Sequence, residues 1–278
     1  MKIKPGDVVL LTGASGGLGV HFVKAFAALH VRLVLAAFPG NDLEEIRAEI
    51  ERQGCESVEM ICDLRDADQR VKLVELAQQR FGRVDVLVNL AGVEFTAFYH
   101  ELSEAQIASV LGVNLEAPMM LTRLVLPAML AQKRGHIINI SSLAGKSGPA
   151  FQEPYAATKA ALIAFTLSLR STYRAAGVSA SVIVPGFVEA GIYSRLKAQT
   201  GRSAPPWLGT SQPETVVQAV LRALARDLPE VIVNPTPIRP ILAFTALFPR
   251  AGEWLSGKSA PTAFFAGPWK WQKRKRFE

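Results

Sequence analysis

The chain has only two cysteines, Cys55 and Cys62, in 278 residues. That is too few for a disulfide framework or a four-thiolate metal site, and it fits a reduced compartment. Histidine is scarce as well. His21, His30, His100 and His136 stand apart without ligand spacing, so no metal is expected, and His136, at the start of an apolar run, reads as a packed or capped residue. No uncharged apolar stretch reaches the roughly 18 residues of a bilayer span; Val31 to Phe38 and Ile241 to Phe248 are much shorter, which argues against a membrane-spanning helix. The opening MKIKPGDVVLLTG runs straight into a strand pattern without the regions of a secretory signal, so a cytoplasmic location is expected. Long polar segments are missing too, and with 49% apolar and 20% charged residues the bulk of the chain is not disordered.

The net charge of +7 is unevenly placed: residues 270–278 hold five Lys or Arg against one Glu. The body is close to balanced, so its chemistry is read separately from the tail, and nucleic acid is not an expected partner.

Short apolar runs alternate with helical-period segments. The strand candidates are Val8 to Leu11, Arg32 to Ala37, Ser57 to Ile61, Val84 to Asn89, His136 to Ile140, Ser179 to Val184 and Val231 to Val233. They are apolar at consecutive positions, as strands covered on both faces must be. Amphipathic segments near 17–29, 42–53, 67–81, 104–132, 154–176 and 213–227 are long enough for crossover helices. This order predicts an α/β fold, a doubly wound, Rossmann-like parallel sheet of about seven strands with helices on both faces. Residues 1–235 form the expected main domain. The Pro-rich change of composition at 234–240 opens a C-terminal extension, 236–278.

Gly13, Gly17 and Gly19 fall between the first strand and the first helix, flanking Ser15 and Leu18. Glycine there permits a tight turn and close approach of a pyrophosphate, while the helix N-terminus offers free N–H groups and a positive dipole end. A dinucleotide is the natural ligand. Gly13-Ala14-Ser15-Gly16-Gly17 also fits a hydrolase nucleophile elbow, but that reading needs a late histidine, and none follows His136.

Tyr155 and Lys159 are four apart in a helical-period segment, so both project from one face. A phenol of pKa near 10 is a poor base at neutral pH. A cation about 5 Å away, at an effective dielectric near 20, contributes roughly 3 kcal/mol, or about two pKa units. Lys159 is therefore expected to bring Tyr155 toward the working range, with an oxidised nicotinamide completing the shift. Pro118 has no N–H to close the helical bond to the Asn114 carbonyl, which leaves that oxygen free.

The spacing Thr-Gly-x-x-x-Gly-x-Gly resembles the short-chain dehydrogenase/reductase family. Further matches follow in that family's order: Asp63, with Leu64 beside it; Asn89-Leu90-Ala91-Gly92; Asn114; Ser142; Tyr155-Ala156-Ala157-Thr158-Lys159; and Pro185-Gly186. The resemblance covers residues 8–190. It implies reversible hydride transfer between NAD(P)(H) and a carbonyl or alcohol carbon. Tyr155 would be the acid/base and Ser142 would orient the substrate oxygen, with Ser141 as the competing serine. Lys159 would tune the phenol and hold the ribose, and Asn114 would anchor a relay water. Asp63 would sit on the adenine side and Asn89, Ala91 and Gly92 along the cofactor, and a homodimer or homotetramer would form.

This sequence also departs from the pattern. Where NAD-selecting members place an acid there is Ala37, and where NADP-selecting members commonly place Arg there is Phe38. Without the carboxylate nothing repels a 2′-phosphate, and Ser15 can donate to one, so the reading leans to NADP over NAD. Leu90 replaces a frequent asparagine, and Ala190 stands where a threonine would hold the nicotinamide amide, a task left to backbone near Val188. Those departures keep a non-catalytic dinucleotide-binding regulator as the rival reading.

The resemblance makes residues 1–235 the dinucleotide-binding and catalytic domain, with a variable lid at 187–212. Phe187, Ile192, Tyr193, Leu196, Pro205, Pro206 and Trp207 in that lid, with Leu143, Phe151 and Phe95, suggest an apolar pocket and a lipophilic small-molecule carbonyl or alcohol substrate. In the extension, Trp269 and Trp271 among Lys270, Lys273, Arg274, Lys275 and Arg276 suit an anionic membrane surface, with Ile241 to Phe248 as an amphipathic contact. Packing on the body or a second subunit is preferred, because Pro240, Pro249, Pro261 and Pro268 interrupt helices.

Overall fold

The computed structural model describes residues 1–40 and 43–252, so the tail aromatics and basic residues from Trp254 onward lie outside the described residues. Seven strands form one parallel sheet: β1 (Val8–Thr12), β2 (Arg32–Ala37), β3 (Ser57–Ile61), β4 (Val86–Asn89), β5 (Gly135–Ile140), β6 (Val178–Pro185) and β7 (Glu230–Val233). Their order is β3-β2-β1-β4-β5-β6-β7, the doubly wound topology. The order reverses between β1 and β4, where Val9 pairs with Val86, and a crevice opens at the carboxyl ends of the strands.

Helices α1 (Gly19–Ala27), α2 (Glu44–Arg52) and α9 (Pro213–Arg226) cover one face; α3 (Ala67–Phe81) and α5 (Ala117–Ala131) cover the other. Within β1, Val9 and Leu11 enter the first core and Val8 and Leu10 the second. Side chains alternate across a strand, so a buried central strand must be apolar at every position. β4 starts at Val86 rather than Val84. The preceding Asp85 is fully buried, accepting the Val8 N–H at 2.8 Å and the Arg134 Nη1 at 2.9 Å. Polar groups there tie the sheet's lower edge instead of extending the ladder.

The segment expected as one helix over 104–132 is α4 (Glu104–Leu111), a π turn (Gly112–Glu116) and α5. Pro118 at the start of α5 removes a helical donor, and the ladder accommodates this by one wide turn around Asn114. Glu104–Ala131, with a mean hydropathy of 1.2, is long and apolar enough to cross a membrane by composition. It is a core helix here: Leu121, Val125 and Met129 are buried against the sheet. The remaining helices are α6 (Ala144–Ser147), α7 (Glu153–Tyr173), α8 (Gly191–Thr200) and α10 (Arg239–Leu247). In α10, Pro240 occupies the first turn, where its missing N–H costs nothing, so it begins a helix that the sequence pattern has it interrupt.

Candidate active site

A cleft of about 1100 Å³ lies at the switch point, between the first turn, the strand ends and the lid. The first turn admits no side chains at its key glycines. Gly13 has φ +71°, and a Cβ there would stand 2.9 Å from Ala91 Cα. A Cβ on Gly17 would be 2.5 Å from the Gly191 amide, and one on Gly19 would overlap the Ala14 carbonyl. The turn is therefore a bare-backbone cradle at the start of α1, with Ser15 and Leu18 on the cleft wall beside it, which fits a pyrophosphate. Thr12 Oγ1 accepts the amides of Leu90 and Ala91 at 3.1 and 3.2 Å, fixing the β4 loop so that Ala91 and Gly92 also face the cleft.

At the cleft floor Tyr155, from the first turns of α7, lines the wall with Ser142, which follows β5 and is near enough to favour the phenolate. Ser142 Oγ also accepts the Ala144 amide at 3.2 Å. Ser141 instead donates to the Lys159 carbonyl at 2.7 Å, bracing α7. Lys159 Nζ lies 5.6 Å from the Tyr155 ring centre and donates to the Ile140 carbonyl at 3.0 Å. Asn114 sits behind this group, off the cleft wall. Its side chain accepts from the Val93 N–H and donates to the Val93 carbonyl, both at 2.8 Å.

The electrostatics differ from the expectation that Lys159 depresses the phenol. Burial raises Tyr155 to about 12, the Ser142 hydroxyl opposes this, and the Glu94 carboxylate adds to it. Burial also lowers Lys159 to about 8. Removal from water, which disfavours each charged form, dominates both groups in the protein alone.

Toward the adenosine end, Phe38 and Leu64 border the cleft, and the Arg65 guanidinium stands 6.0 Å over the Phe38 ring. Asp63 pairs with Arg65 at 2.5 Å, and that hydrogen bond, against some desolvation, holds its carboxyl below the usual range. Asp63 therefore faces the arginine beside the cleft. Asn89 is also off the wall: it is buried in the sheet, donating to Asn139 Oδ1 at 2.8 Å. Pro185, Gly186 and Val188 line the opposite side.

Leu143, Phe187, Ile192, Tyr193, Leu196 and Trp207 line the substrate half, with Phe187 and Tyr193 rings 5.3 Å apart. Phe151 packs beneath them, edge-on to Phe98 at 5.2 Å, and Phe95 packs beside Tyr155; Pro205 and Pro206 lie away from the wall. No cluster of three or more potential metal-binding side chains occurs among the described residues.

A family model described as short chain dehydrogenase matches residues 7–201. The chain belongs to the short-chain dehydrogenase family. Such an enzyme is an NAD(P)-dependent oxidoreductase acting on carbonyl or alcohol groups. This dehydrogenase is 40% identical over 238 residues to a ketoacyl reductase, HetN, of Nostoc sp., an alignment covering 86% of this chain and 82% of the relative. A metagenomic short-chain oxidoreductase solved with NADP has a TM-score of 0.72 at 33% identity, covering 84% and 99% of the two chains. A short-chain dehydrogenase/reductase of Burkholderia phymatum solved with NAD has a TM-score of 0.78 at 29% identity, covering 92% and 97%.

Two features of this dehydrogenase escape a reading by motif. Arg65 reaches the end of β2 from the loop after β3, and only the β2–β3 register, pairing Ala37 with Ile61, brings them together. Gln152 Nε2 donates to Glu94 at 3.1 Å, joining the β4 loop to the start of α7; burial raises the Glu94 carboxyl. A charged residue in the apolar context Val93-Glu94-Phe95 was the available signal.

Proposed function

We propose that this enzyme reduces a ketone on a lipophilic, acyl-like substrate with NADPH, and that Tyr155 supplies the proton. The observation that carries this reading is the placement of Ser142, Tyr155 and Lys159 together on the wall of the cleft, between the glycine turn and an apolar lid. A phenol raised to about 12 is neutral at physiological pH, which suits a proton donor to a carbonyl oxygen. Ser142 orients that oxygen, and Lys159 holds a cation behind the phenol and toward the ribose. Asn114 fixes the loop after β4 at Val93 and thereby the wall beside Lys159. When bound, the reduced nicotinamide supplies the hydride.

NADPH is favoured over NADH because Arg65 supplies the cation that Phe38 does not, and Ala37 brings no carboxylate to repel a 2′-phosphate. The ketoacyl reductase activity named for the Nostoc relative supports an acyl substrate, as do Phe187, Ile192 and Leu196 on the wall. The test is NADPH oxidation with 3-oxoacyl thioesters of increasing chain length. Turnover that rises with chain length and is lost in Tyr155→Phe, while NADPH still binds, is expected. Undiminished turnover in Tyr155→Phe refutes the assignment.

A further inference from the structure

Helix α10 has two apolar sides. One faces the cleft through Ile238, Ile241, Leu242 and Thr245. The other faces outward: Leu247 is 74% exposed, Phe248 56% and Phe244 42%, with the two phenyl rings tilted against each other, 5.3 Å between centres. Large side chains in such an exposed row indicate an interaction surface.

Charge selects among occupants. From Val231 to Gly252 there is no Asp or Glu, and Arg239 and Arg250, both exposed, bracket α10. Among the described residues the acidic partner of Arg239 is Glu230, at 3.9 Å. Residues 253–278 follow directly and carry six Lys or Arg against two Glu, interleaved with Trp254, Trp269 and Trp271. Aromatic and aliphatic side chains beside exposed cations match the interface of an anionic bilayer, where rings sit at headgroup depth and cations meet lipid phosphates. A second copy of this chain would bring the same positive charge to the contact.

We propose that α10 docks the enzyme on an anionic membrane surface through Phe244, Leu247 and Phe248, with Arg239 and Arg250 at the headgroups. The helix that walls the substrate half of the cleft would then rest on lipid, so an amphiphilic substrate could pass between bilayer and site without crossing water. The docking stands apart from the catalytic reading and is tested separately.

The experiment is flotation of the full chain with phosphatidylcholine vesicles, with and without phosphatidylglycerol. Capture by the anionic vesicles only, weakened by salt, is expected. The double variant Leu247→Ser/Phe248→Ser should partition roughly tenfold less, with NADPH binding intact, because neither residue lines the cleft. Arg250→Glu should also weaken capture. Absence of wild-type capture, equal capture by neutral vesicles, or undiminished capture of the double variant overturns the proposal. So does conversion of a dimer to a monomer by the double substitution in vesicle-free solution, which would assign the face to a second copy.

Discussion

Lys159 and Tyr155 lie one helical turn apart, with the ammonium 5.6 Å from the phenol ring, and both are almost wholly removed from water. Their shared burial moves the two groups apart on the pH scale, the lysine down to about 8 and the phenol up to about 12. The lysine is thus the group that titrates first.

An alkaline limb near pH 8 is therefore expected in kcat/KM for the dinucleotide, which reports the free enzyme. Below that pH Lys159 carries its charge; above it the cation is lost, and with it the hold on the ribose. Ser142→Ala should lower the plateau without removing the limb. A profile flat to pH 10 would contradict this assignment.

Arg65→Ala is expected to raise the KM for NADPH by roughly 10- to 100-fold, the range for a hydrogen bond to a charged group, and to leave NADH nearly unchanged. Equal effects on both cofactors would mean that Arg65 only steadies Asp63 and Phe38.

Substitution within the first turn should be sharply position-dependent. In Gly17→Ala the new methyl would meet the Gly191 backbone at 2.5 Å, so dinucleotide affinity by calorimetry should fall at least about tenfold as lid and turn separate. At Gly16 the nearest atom is the Gly13 carbonyl at 3.3 Å, and Gly16→Ala should be much milder. Similar losses in both variants would rule out the lid contact as the cause.

Acid should destabilise the protein before the carboxylates titrate. Burial lowers His136 to about 3, so below its unfolded pKa near 6.5 the unfolded chain binds the extra proton. Stability is complete above that pH and falls by roughly 1.4 kcal/mol per unit beneath it. Asp227 behaves likewise at lower pH: burial opposes its ionisation, but Arg170, Ser179 and Arg174 hold it well below the carboxylate range. Urea unfolding of His136→Asn between pH 7 and 5 should be flatter than wild type; parallel curves would remove His136 as the source.

The strands were legible because a sheet covered on both faces demands unbroken apolar runs, and β2 lies at its expected bounds. So does the edge strand β3, although Glu59 interrupts it and it is only partly buried. Tyr155, Lys159 and Ser142 were legible as a motif, and the Pro118 argument located the irregular turn around Asn114. Contacts fixed by tertiary register were not. Arg65 meets Phe38 only because two strands align, and the fate of the phenol depends on burial that helical spacing does not encode. Asn89 stands in the expected motif, yet its amide is committed to Asn139 inside the sheet. Helix α8 was hidden because Gly191 opens it with φ +57° and its residues carry little apolar periodicity.

The pairing of β1 with β4 joins segments 77 positions apart, and it is this pairing that sets Gly13 against Ala91. Closing so long a loop costs entropy that only the finished core returns, so the crevice cannot form ahead of the whole sheet. Cofactor capture during refolding should accordingly appear late and in a single phase, making NADPH a reporter of completed folding.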